Sequence, residues 1–220
     1  MRALWIPLLA AGFALPAAPQ SAKLEPIAIA LPKPLFEGTP VPTNVPNLEK
    51  PSKNARPPFL APPGTVNLAL HKPVTSSDSD PVIGNLEMIT DGNKAGTDGT
   101  FVELKQGSQS VVIDLERKCT IYAILVWHYH KEARSYADVV VQVADDPDFI
   151  TGVRTLFNND TNNETGSGIG KDMRYVETAE GKLIDAKGVE ARYVRLISNG
   201  SDKTPANHYI EVEVYGKALR

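Results

Sequence analysis

Three of the four histidines fall in two short stretches, Trp127-His128-Tyr129-His130 and Asn207-His208, and the first is followed by Arg134 and Tyr136. Imidazole, guanidinium, amide and phenol groups are hydrogen-bonding tips on planar bodies, so together they can hold a polar ligand. The two-residue step from His128 to His130 puts both on one face of an extended strand. The three imidazoles could also ligate zinc or copper, although no metal-binding frame accompanies them. Trp127 and Tyr129 can instead be core residues, with the histidines hydrogen-bonded at a sheet edge, and for Trp127 the core reading is favoured.

A second set is made of oxygens. Asp91, Asn93 and Thr97 offer three side-chain oxygens within one loop, the donor type that Ca²⁺ takes. An Asx-turn around Asp91-Gly92-Asn93 is the competing account. The loop Asp160-Thr161-Asn162-Asn163-Glu164 is as oxygen-rich but lacks the glycine and terminal glutamate of an EF-hand, and reads as a polar surface loop. Asn159, Asn163 and Asn199 each open a glycosylation sequon. No Gly-x-Ser-x-Gly elbow, His-Glu-x-x-His pair, phosphate-cradling glycine loop or catalytic-cysteine context is present, so enzymatic function is not expected.

The elements that must position these groups are short and β-rich. Between Ser110 and Tyr215, runs such as Ser110–Leu115, Thr120–Trp127, Asp138–Val143, Ala191–Ile197 and Tyr209–Tyr215 alternate or concentrate apolar residues. In the last two, Val194 and Leu196, or Val212 and Val214, share one face by the two-residue period. Turn residues such as Thr90-Asp91-Gly92-Asn93 separate the runs, and no long amphipathic helix or internal repeat appears. The pattern predicts an all-β sandwich over residues 66–217.

Ahead of it, Arg2 and the apolar segment Ala3–Leu15 predict a signal peptide over residues 1–22, too short for a transmembrane anchor. Residues 23–65 contain eleven prolines and predict an extended or disordered linker. A secreted, periplasmic or cell-surface location follows. The 23 Lys+Arg against 26 Asp+Glu give a net charge of -3 with no basic stripe, which argues against nucleic acid as partner. The single cysteine, Cys119, rules out an intramolecular disulfide and reads as a small apolar strand residue.

Six segments in order resemble the discoidin (coagulation factor 5/8 type C, galactose-binding-like) family: Asn67–Ser77, Thr90–Asn93, Val112–Leu115, Ala144–Pro147, Ala191–Leu196 and Glu211–Gly216. The resemblance implies a jelly-roll sandwich that binds sugars, lipid head groups or proteins through loops at one end. In carbohydrate-binding members an Asp-Gly-Asn loop and a glutamate of the closing strand hold a structural Ca²⁺, which implies Asp91, Asn93, Thr97 and Glu211 here. In sugar-binding members a loop His, an Arg or Asn and an aromatic make the contacts, which implies His128, His130, Arg134, Tyr136, Asn207 and His208. The expected partner is a glycan or cell-surface polysaccharide, with a protein partner as the alternative. Phe101–Leu104 stands where many members carry a tryptophan, and Glu116-Arg117 replaces the usual glycine after Leu115.

Overall fold

The alternating runs form an all-β structure. The computed structural model describes residues 23–34, 45–50, 52 and 54–219; the signal segment expected over residues 1–22 lies outside them. In chain order the strands are β1 (Glu25–Pro26), β2 (Leu60–Ala61), β3 (Val66–Asn67), β4 (Val74–Ser76), β5 (Val102–Leu104), β6 (Gln109–Trp127), β7 (Val140–Ala144), β8 (Arg154–Asn158), β9 (Lys182–Ser198), β10 (Asn207–Tyr209) and β11 (Glu211–Ala218). A single turn of 3-10 helix, Leu86–Thr90, precedes the Asp91 loop.

The main sheet runs β3-β11-β6-β9-β7-β8, with β4 also on β6. At 19 and 17 residues, β6 and β9 are long enough to serve both layers. The first part of β6 pairs with β4 at Val111–Ile113, and its last part pairs with β11 from Cys119 to Trp127. Register breaks between Asp114 and Cys119. There Glu116 takes a φ of 64°, and its N–H donates to Asp114 Oδ1 at 2.7 Å. The ladder thereby bends into two facing layers. Val111, Ile113, Ile121, Ile124 and Val126 meet Val141, Val143, Val194, Leu196, Val212 and Val214 in the core between them. Cys119 is buried with them, as its reading as a strand residue required. A second, small sheet pairs β10 with β5 at one end of the sandwich.

The proline-rich stretch departs from expectation. Its described parts do not stand off as a spacer but pack on the sandwich, so the folded unit begins well before Val66. β1 pairs with β2, and Ile27 N–H donates to Phe59 O at 2.9 Å. Ile27, Ile29, Phe59 and Ala61 cover the outer face of β6 and β11, meeting Ala123, Leu125, Trp127, Ile210 and Tyr215 in a second apolar cluster. Farther on, Glu49 N–H donates to Arg174 O at 2.8 Å, and the Arg56 guanidinium donates to Gly181 O at 2.8 Å. Proline bars helix and central strand, yet it tolerates a two-residue edge ladder. A strand apolar on both faces needs a cover on both. Gly181 serves the same packing: at φ +63° it sits where a Cβ would come within 2.6 Å of the Trp127 indole.

Candidate functional site

Pairing of β5 with β10 sets Glu103 directly opposite His208. Side chains of paired residues share a face, and Glu103 Oε2 lies 3.0 Å from His208 Nε2. With the Nε2–H donated to the carboxylate, His208 Nδ1 accepts from the Tyr136 hydroxyl, 3.0 Å away. Burial and the nearby Arg134 charge hold the His208 imidazole below its ordinary pKa, so the neutral ring is favoured. Burial pushes the Tyr136 hydroxyl well above the usual phenol range, keeping it a donor. Behind it, the Tyr136 ring stacks on His128 at 4.5 Å, and His128 Nδ1 meets Glu177 Oε1 at 2.7 Å with both side chains fully buried.

Toward solvent, the Arg134 guanidinium lies over the Tyr129 ring at 4.3 Å and pairs with Glu132 at 2.6 Å. Phe101 meets Tyr129 edge-on at 5.1 Å. Lys131 reaches across to Asp98 at 3.0 Å, tying the loop after β6 to the loop before β5. These loops form a rim of charged groups around half-buried Tyr129, Arg134 and Glu103.

Several residues expected to face a ligand do not. His128, His130 and Asn207 are fully buried and Tyr136 and His208 nearly so. Asn207 uses its whole amide inside: the carbonyl accepts from Ser198 Oγ and Gly200 N–H, and the amino group donates to Lys105 O and Gly107 O. It closes a turn. His130 does not share a site with His128: its Nε2 meets Lys94 O at 3.0 Å, whereas His128 turns inward to Glu177. Strand alternation failed as a guide there because β6 ends at Trp127, before either histidine. Among the described residues no group of three His, Cys, Asp or Glu side chains is placed to hold a metal ion, so the His128, His130 and His208 trio does not form one. Trp127 is core, with its Nε1–H donated to Ala179 O. Of the expected contacts, Arg134 remains at the rim, with buried His208 directly behind Glu103. Glu103 and Glu177 escaped sequence reasoning because their partners lie across the fold.

The Asp91 loop stands beside this rim. Asp91 Oδ1 accepts from Asn93 N–H at 2.7 Å and Asn93 Oδ1 from Ala95 N–H at 3.1 Å, an Asx-turn geometry. Gly92 N–H donates to Glu211 Oε2 at 3.0 Å. The other oxygen, Glu211 Oε1, is buried with no hydrogen-bond partner. Burial, reinforced by Glu213 and Asp91, pushes the Glu211 carboxyl up to about 8. Glu211 Oε1 and the Asp91 carboxylate are hard donors of the kind Ca²⁺ takes, but neighbouring Glu213 is already paired with Lys94 at 2.5 Å, and among the described residues no three such side chains are grouped to hold a metal. Thr97 joins the two donors only by its loop position: its hydroxyl is 3.4 Å from that of Thr100.

The architecture is that of a galactose-binding-like β-sandwich. A family 89 glycoside hydrolase from Clostridium perfringens matches with a TM-score of 0.50 at 16% identity, over 70% of this chain and 15% of that one. A chitosan-binding module from a chitosanase/glucanase of Paenibacillus sp. IK-5 matches at 23% identity and TM-score 0.45, over 69% of this chain and 99% of the module. A fucose-binding module of Streptococcus pneumoniae matches at 19% identity and TM-score 0.47, over 68% and 97%. No protein-family model matches the sequence. No curated protein matches it either. Likeness at these identities speaks for the fold alone. Among the described residues no helix is long and apolar enough to cross a membrane.

Proposed function

We propose that this protein is a non-catalytic carbohydrate-binding module of the extracytoplasmic space, engaging a glycan through the rim at the β5–β10 end. The observation that carries the reading is the chain Glu103–His208–Tyr136 reaching the surface beside Arg134. The Glu103 carboxylate and the Arg134 guanidinium offer acceptor and donors, and buried His208, with both ring nitrogens engaged, fixes Glu103 in place, which is the geometry vicinal hydroxyls require. Modules named for binding chitosan and fucose are among the solved structures with a similar fold, and the ligand class proposed here rests on the rim itself.

The same reading includes a structural Ca²⁺ held by Glu211 and Asp91, with Asn93 and Thr97 in the loop. Bound there, a divalent cation would favour the ionised form of Glu211, whose carboxyl is otherwise held neutral up to about pH 8. It would tie the loop to β11 and add stability by mass action.

The reading is tested by screening immobilised glycans with the full chain in Ca²⁺ and after chelation, alongside Arg134→Ala and Glu103→Gln. Binding weakened about tenfold or more in both variants, with unchanged thermal unfolding, is the expected result; absence of binding to every glycan contradicts it. One observation favours the alternative of a protein-contacting module. The Tyr129 face is covered by Arg134 and Phe101 is 8% exposed, so no aromatic ring stands open for a sugar to stack on. Cross-linking that captures a protein partner independently of Arg134 would support that alternative.

A further inference from the structure

A groove of about 480 Å³ lies on the open side of the sandwich and shares no residue with the loop-end rim. Arg154 and Thr155 of β8 stand along it with Asp185 and Lys187 of β9, and Leu156 and Val189 supply apolar surface. Both walls are strand edges: β8 pairs only with β7, and the first half of β9 pairs only with β6. Neither edge offers a run on which an extended peptide could add as a strand. Asp172 seals the end of β8, its Oδ2 accepting from Asn158 N–H at 2.6 Å and its own N–H donating to Asn158 O at 2.9 Å. β9 bulges at Lys187 and Gly188, with φ of 54° and 73°, and Lys187 N–H folds back onto Asp185 Oδ1 at 2.9 Å. Bulges of this kind blunt strand addition. Recognition here must come from side chains.

Its charged side chains are two cations, Arg154 and Lys187, against one carboxylate, Asp185. Arg154 and Lys187 are exposed, and neither forms an ion pair among the described residues, whereas nearby Lys118 is held by Asp145 at 2.8 Å. Arg154 donates to a neutral partner, the backbone carbonyl of Glu190. The groove volume falls within the usual range for a small-ligand site. Donors on both walls, a threonine hydroxyl and an aliphatic floor match a polyhydroxylated chain, and two cations that outnumber the one carboxylate, Asp185, match its acid groups.

We propose that this groove is a second ligand site, taking a segment of acidic glycan whose carboxylates or sulfates meet Arg154 and Lys187. The site is independent of the loop-end reading. It is tested with the full chain by calorimetric titration of an oligogalacturonate, with dextran as a neutral control and poly-glutamate as an acidic peptide control. The expected result is oligogalacturonate binding that weakens with salt and falls about tenfold or more in the double variant Arg154→Glu with Lys187→Glu. The single variants Arg154→Gln and Lys187→Gln, which keep the groove's size, give smaller losses in the same direction. Thermal unfolding is unchanged in all of them, and Arg134→Ala leaves the binding intact. No oligogalacturonate binding, binding that survives the double variant, loss with Arg134→Ala, or equal binding of poly-glutamate or dextran each overturns the proposal.

Discussion

Two carboxylates at the same end of the sandwich, Glu177 and Glu211, are buried to the same degree and solved differently. Both are fully out of water. Glu177 meets an imidazole of its own chain, His128, at 2.7 Å, within a stack that includes Tyr136 and Tyr209. Glu211 receives one backbone N–H, and each carboxylate keeps one buried oxygen without a partner, Glu177 Oε2 and Glu211 Oε1. A buried charge is tolerated only with compensation. The difference teaches that Glu177 has an imidazole of its own chain against it, whereas Glu211 is met by a single backbone N–H and is held in its neutral form up to about pH 8.

The contrast can be broken most forcefully at Glu177. Replacing it with alanine leaves His128 buried alone and is expected to cost about 3 to 5 kcal/mol, read from urea unfolding; a loss below about 1 kcal/mol would show that the pair adds nothing. Next in size is deletion of residues 23–34, which strips Ile27 and Ile29 from the outer cluster. It should destabilise by about 2 to 4 kcal/mol and shift Trp127 fluorescence to the red, and an unchanged spectrum would refute the packing.

At Glu211 the effect depends on pH and cation. Its carboxyl is harder to ionise folded than unfolded, so without cation stability is full below the ordinary carboxylate range and falls as pH rises toward about 8. Ca²⁺ should reverse that slope, raising the unfolding temperature more at pH 8 than at pH 5, and Glu211→Gln should flatten both responses. A Ca²⁺ response that survives Glu211→Gln would place the ion elsewhere. Smallest on stability is Arg134→Ala, about 1 kcal/mol, because its partner Glu132 is half-exposed even though the Arg134 side chain is only 13% exposed and lies over Tyr129; a loss above about 3 kcal/mol would make Arg134 a structural residue.

Much of the fold could be read from the chain. The Val/Ile alternation from Val111 to Tyr215 marked the strands because burial on one face imposes a two-residue period. The outer cover was also written there, in Ile27 and Ile29 alternating with Ala28 and Ala30, but proline density masked it. The continuous run Ile121–Trp127, apolar on both faces, was the matching sign that something must cover the outer side. The site was less legible. Residue type singled out the histidines and Arg134, yet whether an imidazole points inward or outward depends on where β6 stops and which strand lies across from it. Glu103 and Glu177 acquire their roles only through pairings 105 and 49 residues away.

The most direct measurement is calorimetric titration of soluble oligosaccharides into the protein, in Ca²⁺ and after chelation, with Arg134→Ala alongside. Saturable binding to at least one neutral or amino sugar, weakened by Arg134→Ala while unfolding is unchanged, is the predicted result. Heats of dilution alone for every sugar, with the protein folded in Ca²⁺, would contradict it.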